Sequence, residues 1–370
     1  MPLTEHEGRL LERVRTLTHA RRTGEVVAAL EGELDDMLSG ERSRPFTGIA
    51  FDAYCRSLLA ARGHGDDVRR AVGLLCERSR ARFGTQPWSE LYEACLEHLA
   101  GEDESAAARY AVVARDVEVL WPSSAAARTV VAPSRRDAWL GDETPLPYVR
   151  VERARPAGGP VVLVGCDRVY LRRYAPAYLR SFARFGEGVT LHVHLIDPLP
   201  DDIAWLRDAS PASWDCTAVT TETYAGPDPR PYYALARFLR LGELLERYDA
   251  PVLVTDLDAV FEHPIGDDVS DAAGADAALT FKRTDYRAHP WNTVRAGALM
   301  VQPTEPGRTF ARALRRVGAA LFTERAGRGT WFIDQNVLYS VFRRFENERE
   351  YRFADLSGSL PGGLRHGKAF

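Results

Sequence analysis

Apolar residues recur at helical spacing through the first third of the chain. Between Leu10 and Leu38, leucine and valine return every three or four positions, which is the pattern of helices with one buried face. A weak repeat follows, in which Tyr54 corresponds to Tyr92, Leu58 to Leu96 and Gly63 to Gly101. Each unit predicts two helices around a glycine turn, so we expect residues 1–121 to form an all-α domain of helical hairpins.

This array resembles tetratricopeptide repeats over about two units. The resemblance implies a groove for a partner or an acceptor protein. An equally good interpretation is a helical cap packed on the following domain, because so few units are present. Residues 122–159 are rich in proline and glycine and predict a connector. Within it, residues 148–152 could form a short edge strand.

From residue 160 the pattern changes to short apolar runs that alternate with amphipathic stretches. The runs predict strands at residues 161–164, 189–196, 216–220, 252–254, 277–281 and 298–301. The stretches predict helices at residues 170–185, 201–209, 233–248, 309–322 and 333–342. Strands that alternate with helices predict an α/β fold, with a mostly parallel sheet flanked by helices.

Composition narrows the class of protein. The chain has 370 residues and a net charge of −4, which suits two domains and gives no basic surface for nucleic acid or an anionic membrane. Its five cysteines are scattered and favour a reducing compartment. No signal core is seen at the start, and no apolar run could form a transmembrane segment. We therefore expect a cytoplasmic protein without a nucleic-acid partner.

The stretch Asp256-Leu257-Asp258 follows the apolar run 252–254 directly. Side chains alternate along extended backbone, so the two carboxylates should share a side while Leu257 points into the protein. The carboxyl ends of strands are where open α/β sheets bind ligands. Two nearby carboxylates repel unless a cation neutralises them, and Mg²⁺ or Mn²⁺ prefers oxygen ligands. The alternative is that Asp256 caps a turn and Asp258 is a solvated loop residue.

Several motifs in chain order resemble the GT-A glycosyltransferases, most closely the family 8 type. They are Gly-Cys-Asp167-Arg-Val-Tyr170, Ala-Arg237-Phe-Leu-Arg240, Asp256-Leu-Asp258, Arg295-Ala296-Gly297, Ile-Asp334-Gln335 and His366-Gly-Lys368. The resemblance covers residues 160–370 and implies a GT-A (Rossmann-like) domain of the hexosyltransferase type. It implies a nucleotide-diphosphate sugar donor, usually a UDP-sugar, and an acceptor that is a small molecule, a glycan or a protein.

The resemblance also implies a role for each site residue. Asp256, Asp258 and His366 would hold Mn²⁺ or Mg²⁺, while Lys368 would stabilise charge on the departing diphosphate. The nucleotide and the sugar would be bound by Asp167, Tyr170, Arg237 and the small pair Ala296-Gly297. Asp334 would contact sugar hydroxyls, and Gln335 would lie at the reacting face. Transfer would retain the anomeric configuration; if it inverts, Asp334 is the candidate base.

Each of these assignments has a structural alternative, and two positions depart from the family pattern. Asp167 could cap the following helix, Asp334 could be a surface acid, and His366 with Lys368 could belong to a disordered tail. The family commonly has Asn where this chain has Arg295, which leaves room for a charged donor or acceptor. The spacer between His366 and Lys368 is shorter than the family's.

Other classes fit parts of the sequence. Asp256-Leu-Asp258-Ala-Val260 resembles the nucleophile motif of haloacid-dehalogenase-type phosphatases, in which the first Asp attacks phosphate, but here α/β units precede it. A sugar-nucleotide pyrophosphorylase would need a glycine-rich loop after the first strand, and residues 165–171 contain a single glycine. A non-catalytic adaptor with a degenerate transferase domain is the third alternative.

Overall fold

A computed structural model of the chain describes residues 2–141, 145–155, 159–226, 229–282, 287–325 and 332–357, and the backbone of residues 364–366. The chain divides into two compact units. Unit 1 comprises Met1–Arg135 and Lys282–Thr293, and unit 2 comprises Arg136–Phe281 and Val294–Phe370. The predicted domain boundaries at residues 121 and 159 stay a prediction.

The amino-terminal part of unit 1 is helical. Its helices are α1 (Glu5–His19), α2 (Thr23–Glu31), α3 (Leu34–Ser39), α4 (Arg44–Arg62), α5 (Asp66–Phe83), α6 (Pro87–Leu99) and α7 (Asp103–Val113), and 3₁₀ turns follow at Val117–Val119 and Pro122–Thr129. The repeat glycines Gly63 and Gly101 follow α4 and α6 with φ of 81° and 85°. A left-handed residue ends a helix, and glycine adopts that conformation without strain.

Unit 1 also contains the segment Lys282–Thr293, which the chain contributes from between two strands of the sheet. His289 and Trp291 are buried and their rings stack 4.6 Å apart. The hydroxyl of Tyr110 lies 2.9 Å from Nδ1 of His289. Burial lowers the pKa of His289 well below its ordinary value, because a buried imidazolium loses its hydration. Nothing in the sequence pattern of residues 282–293 indicates that this segment belongs to the helical unit.

Unit 2 is built on an eight-stranded sheet in the order β1-β4-β3-β2-β5-β8-β7-β9. The strands are β1 (Val149–Arg153), β2 (Val161–Asp167), β3 (Thr190–Ile196), β4 (Thr217–Glu222), β5 (Val252–Thr255), β7 (Ala277–Phe281), β8 (Val294–Val301) and β9 (Phe353–Asp355). The pairs within β4-β3-β2-β5 are parallel, as is β7-β9. The other three pairs are antiparallel. A separate antiparallel pair joins β6 (Ala259–Phe261) to β10 (Leu364–His366).

Helices cover the sheet. They are α8 (Pro133–Trp139, which begins at the end of unit 1), α9 (Arg168–Phe185), α10 (Asp202–Ala209), α11 (Pro229–Tyr248), α12 (Ile265–Asp271), α13 (Glu305–Arg325) and α14 (Ile333–Phe345). The central strands β2, β3 and β5 are almost wholly buried, as expected for parallel strands covered on both faces, and β3 carries two buried histidines, His192 and His194. Within the described residues, no helix is both long enough and apolar enough to span a bilayer.

The predicted α/β class, with a mostly parallel sheet flanked by helices, is confirmed. Each strand and helix predicted from residue 160 onward is present, with ends that differ by a few residues, and the stretch 148–152 forms the edge strand β1. The short strands β6, β9 and β10 were missed, because runs of three residues carry too little periodicity to be recognised.

Candidate functional site

The D-x-D stretch lies at the carboxyl end of β5, in the middle of the sheet. The backbone N–H of Asp256 donates to the carbonyl of Gly297 at 3.2 Å, so the chain continues to follow β8 for one residue beyond β5. Leu257 is buried with 4% exposure, whereas Asp256 and Asp258 are partly exposed. The backbone turns here, with the Ala259 N–H donating to the Asp256 carbonyl at 3.3 Å, and the turn buries Leu257 between the two acids. The two carboxylates are therefore available to a ligand.

Arg237 connects four of the predicted motifs. Its guanidinium is buried in α11 and donates to Asp256 Oδ1, to Asp334 Oδ2 at 3.2 Å and to the carbonyl of Ala296 at 3.0 Å. Since these partners come from α14, β8 and the end of β5, one side chain joins segments that are far apart in sequence. A guanidinium can do this because it carries five donors in a fixed planar fork.

Gly165 explains how α11 comes close enough for this contact. A Cβ atom at Gly165 in β2 would lie 3.4 Å from Cβ of Arg237 and 3.5 Å from its backbone nitrogen. A Cβ there would make ordinary van der Waals contact, so only a side chain longer than alanine would push the helix, and with it the guanidinium, away from the sheet. Gly165, two residues before Asp167, therefore lies at a position that favours a small residue.

Asp334 lies at the first turn of α14. The residue before that helix, Phe332, has a positive φ of 62° without being glycine, a conformation that is uncommon for a bulky side chain. Burial raises the pKa of Asp334, Arg237 lowers it, and the charge of Asp256 raises it again, with a net increase. Its neighbour Gln335 is buried with 8% exposure. Asp334 thus faces the cluster and is not the surface acid of the alternative interpretation.

Ala296 and Gly297 lie where β8 separates from β7. Leu279 pairs with Leu299 and Thr280 pairs with Arg295, so three residues of β8 have no partner on β7. Such a bulge re-aims the backbone. Here the carbonyls of Ala296 and Gly297 accept from Arg237 and from the Asp256 N–H.

Tyr170 borders the two aspartates and Asp167 caps the helix that carries it. The pKa of Tyr170 is raised to about 12, first by burial and then by Asp258, Tyr174 and Asp256. Its ring is 44% exposed and lies 4.6 Å from that of Tyr174, which leaves a face open for stacking. Asp167 Oδ1 accepts from the Tyr170 N–H at 2.7 Å. The cap is therefore real, and a second role for Asp167 stays a prediction.

The two tail residues fall at or beyond the limit of what the structure describes. The backbone of His366 pairs with that of Ala259, the residue after Asp258. The strand β10 therefore brings the tail to the D-x-D stretch, while the His366 side chain and all of Lys368 lie outside the described residues. Their roles stay predictions.

Asp197 is a site residue that the sequence reasoning missed. It follows β3 directly, has a positive φ of 52° and accepts from the Tyr224 N–H at 2.8 Å and the Tyr233 hydroxyl at 3.3 Å. Burial is the largest cause that raises the pKa of Tyr233 to about 12, and the charges of Asp197 and Asp167 add to it. These groups line the carboxyl ends of β2 and β3, next to the D-x-D strand. An acid directly after an apolar strand was the available signal.

The charges of the site fit a divalent cation. Asp256 and Asp258 supply oxygen donors of the kind Mg²⁺ and Mn²⁺ prefer. Arg237 joins Asp334 to Asp256, so a third carboxylate belongs to the same site. Among the described residues, no group of three His, Cys, Asp or Glu side chains is arranged around one point. A third protein ligand would have to come from outside that part of the chain, as His366 would.

Comparisons with known proteins give structural neighbours only. No protein-family model and no curated protein sequence matches the chain. Among solved structures, the apo WbbM bifunctional glycosyltransferase aligns with 55% of the chain at 16% identity and a TM-score of 0.36. The apo glycosyltransferase GlyE of Streptococcus pneumoniae TIGR4 aligns with 54% of the chain at 15% identity and a TM-score of 0.36. The galactosyltransferase LgtC, in complex with donor and acceptor sugar analogues, aligns with 50% at 15% identity and 0.34.

The aligned part spans 40% of the WbbM chain, 46% of GlyE and 70% of LgtC. The chain thus covers less than half the length of the first two neighbours. Identities and TM-scores of this size carry no argument about activity, so the function is argued from the site.

Proposed function

We propose that this chain is a metal-dependent glycosyltransferase of the GT-A type that transfers a hexose-like sugar from a UDP-sugar to an acceptor, with retention of configuration. The observation that carries the proposal is the Arg237 cluster. One buried guanidinium joins the D-x-D strand, the small-residue bulge and the Asp-Gln helix. Those are the segments that the sequence resemblance assigns to one donor site.

Each part of the cluster has a task in this reaction. Asp256 and Asp258, with His366, would hold Mn²⁺ or Mg²⁺, which when bound neutralises charge on the departing diphosphate. Tyr170 offers an exposed ring face for the base, and Asp167 and Asp197 offer acceptors at the neighbouring strand ends. Asp334, fixed by Arg237, orients sugar hydroxyls. The bulge at Ala296-Gly297 leaves the sugar close to backbone, and Lys368 contributes a cation to the diphosphate.

The hydrogen bonds of Asp334 support the retaining route of the proposal. A general base must be free to accept a proton, whereas Asp334 Oδ2 accepts from Arg237 and Oδ1 accepts from the Gln335 N–H at 2.9 Å. A carboxylate held at both oxygens is suited to positioning. The acceptor proton would then go to the leaving phosphate, and no side chain is needed as the base.

The phosphatase alternative receives less support from the same geometry. Its nucleophile would be Asp256, whose Oδ1 is held by Arg237 and whose side chain is 28% exposed. A carboxylate bound by a guanidinium is a weaker nucleophile, because the ion pair stabilises its charge before attack. We therefore keep the transferase as the proposed function.

A thermal-shift series tests the proposal. The protein is melted with UDP, GDP or neither, with and without Mn²⁺, as wild type and as Asp258→Asn. A ligand at one hundred times its dissociation constant adds roughly 2.7 kcal/mol to the free energy of unfolding. We expect UDP to raise Tm in wild type only when Mn²⁺ is present, and to leave Asp258→Asn unchanged.

Asp215→Asn is the matched control, since Asp215 belongs to the same unit and its side chain is fully exposed. It should respond to UDP and Mn²⁺ as wild type does. A shift in Asp258→Asn equal to that in wild type would remove the metal assignment. The absence of a nucleotide shift in every condition would instead overturn the transferase and favour the adaptor.

A further inference from the structure

Arg295 is the exposed position of a strand that is otherwise buried. β8 has seven buried residues and one exposed residue, Arg295. It pairs with Thr280 on β7, directly before the bulge that contains Ala296 and Gly297. An arginine in a central strand needs a reason, because a charged side chain there covers little apolar surface and lies beside the site.

The strand register places Arg295 on the D-x-D side of the sheet. Thr255 pairs with Ala298, and the Asp256 N–H reaches the Gly297 carbonyl. The chain then turns at Leu257 and Asp258, where the Ala259 N–H donates to the Asp256 carbonyl at 3.3 Å, so the pairing with β8 ends at Asp256. On the other side of β8, Leu279 pairs with Leu299 and the next residue, Thr280, pairs with Arg295, so the bulge brings Arg295 back beside the small pair that faces the proposed sugar.

Within the described residues, Arg295 differs from the other arginines of the site in its partners. Arg237 and Arg240 are buried and bound to carboxylates. For Arg295 no salt bridge, side-chain hydrogen bond or ring contact is found in that part of the chain. An exposed guanidinium without a carboxylate of its own is suited to bidentate binding of an anion from outside.

The charge of the surrounding site makes this cation informative about the substrate. Asp256, Asp258 and Asp334 would repel a negatively charged sugar, so binding one would require a compensating cation away from the metal. A neutral hexose would need none. Arg295 stands beside the small pair that would face the sugar, and the C6 group is where acidic hexoses differ from neutral ones.

We propose that Arg295 binds the carboxylate of a uronic acid carried by the nucleotide donor, and so selects an acidic sugar over a neutral hexose. The inference rests on the proposed glycosyltransferase function and names the substrate class of the same site. Arg295 acts on the sugar alone, so it should contribute little to the affinity for UDP.

Binding measurements separate a failure of this inference from a failure of the proposed transferase function. The affinities of wild type, Arg295→Gln and Arg295→Lys for UDP, UDP-glucose and UDP-glucuronic acid are measured with Mn²⁺ by isothermal titration. We expect wild type to prefer UDP-glucuronic acid to UDP-glucose. Arg295→Gln should reduce that preference roughly tenfold or more, the size of one hydrogen-bonded charge pair, and Arg295→Lys should restore part of it.

Arg150→Gln serves as the matched control. Arg150 is an exposed arginine of the same sheet, with 74% side-chain exposure, on the edge strand β1, five strands from β8 in the sheet order. Its substitution should leave the preference at the wild-type value. If UDP binds but wild type shows no preference for the acidic sugar, or Arg295→Gln keeps the preference, the inference is overturned while the transferase stands. If UDP itself does not bind, the proposed function fails first.

Discussion

Two arginines one helical turn apart on α11 enter two different kinds of charge cluster. Arg237 and Arg240 are each 4% exposed and each bound to a carboxylate. Around Arg237 the carboxylates of Asp256 and Asp334 keep 28% and 17% exposure. Around Arg240 the cross-strand partner Glu222 has none, while the second partner Glu243, on the same helix, keeps 34% and is also paired with Arg315. The same residue type on the same helix thus belongs to an open cluster in one case and to a closed cluster in the other.

The closed cluster is compensated mainly by protein groups, although Glu222 Oε1 and His194 Nε2 have no hydrogen bond within the described residues. Arg240 donates to Glu222 through Nε at 3.0 Å and through Nη2, which also reaches the Pro147 carbonyl at 2.7 Å. His194 lies 3.3 Å from the other oxygen of Glu222. Burial raises the pKa of Glu222, but His194 and Arg240 outweigh it and the net change is a decrease. For Asp334 in the open cluster, burial outweighs the attraction of Arg237 and the pKa is raised.

The difference separates structure from function. A buried carboxylate whose charge is fully compensated by protein groups has nothing to offer a ligand. Carboxylates that share one guanidinium and remain partly exposed still attract a cation or sugar hydroxyls. Both histidines of β3 are also bound by protein groups, since His192 and His194 lie 2.8 Å and 2.9 Å from Thr220 Oγ1. Their alternation along the strand places them on the same face, beside polar neighbours.

The largest expected effect is on the closed cluster. Arg240→Gln leaves the charge of Glu222 buried without a guanidinium, and breaking a buried pair in this way costs about 3–5 kcal/mol of stability. Urea unfolding at pH 7 measures the loss. The pKa of Glu222 is lowered in the native protein, so the stability it provides is present above the ordinary value of 4.5 and is lost as pH falls.

The difference in stability between Arg240→Gln and wild type should therefore narrow as the pH is lowered below 4.5, because a protonated Glu222 does not need the guanidinium. Arg247→Gln is the control, since Arg247 is exposed on the same helix, and it should change stability by less than about 0.5 kcal/mol. A loss for Arg240→Gln no greater than for Arg247→Gln would contradict the closed-cluster interpretation.

A third buried carboxylate sharpens the comparison because it has no arginine. Asp268 in α12 is 1% exposed, and neither of its carboxylate oxygens has a hydrogen bond within the described residues. His263 Nε2 is 3.7 Å away. Burial raises the pKa of Asp268 to about 6, with His263 lowering it and Asp271 and Asp267 raising it. Without a guanidinium bound to the carboxylate within the described residues, burial decides the direction of the pKa shift.

Asp268→Asn should stabilise the protein at neutral pH. The native pKa is above the unfolded one, so the unfolded chain loses its proton first and wild-type stability falls as pH rises from about 4 to about 6. At 1.36 kcal/mol per pKa unit the effect is at most about 3 kcal/mol. Melting curves from pH 4 to 8 should show the advantage of Asp268→Asn growing over this range, while the exposed neighbour substitution Asp267→Asn should show a much smaller one, since Asp267 is the last of the causes that raise the pKa of Asp268.

The sequence predicted which charged residues stand at the ends of strands better than it predicted which residues they bind. Asp256, Asp258 and Arg237 were recognised because they stand at fixed places relative to apolar runs, and runs are what periodicity detects. That Arg237 would bind both Asp256 and Asp334 could not be read, since 19 and 97 residues separate them. Nor could the sequence distinguish Arg237 from Arg240, because which strand end a helix turn faces depends on packing.

The same limit applies to the connection between the units and to Asp197. The segment Lys282–Thr293 was missed because its burial depends on aromatic contacts with distant helices, such as Tyr110 with His289. Asp197 was missed because its positive φ is fixed by its hydrogen bonds to residues that follow β4 and open α11. Local pattern specifies elements; the contacts between elements decide which polar groups stay open.

The smallest expected effect on stability comes from the open cluster. Arg237→Gln removes a buried cation whose Nε has no hydrogen bond within the described residues, and water can rehydrate the partly exposed Asp256 and Asp334. We expect a loss of roughly 1 kcal/mol by urea unfolding, well below that of Arg240→Gln. Without the guanidinium, the carboxylates of Asp256 and Asp334 lose the cation that lies between them. Mn²⁺ should therefore raise the Tm of Arg237→Gln more than that of wild type, even though sugar transfer is lost. Equal stability losses for the two arginines, with no extra gain from Mn²⁺, would mean that both clusters are structural.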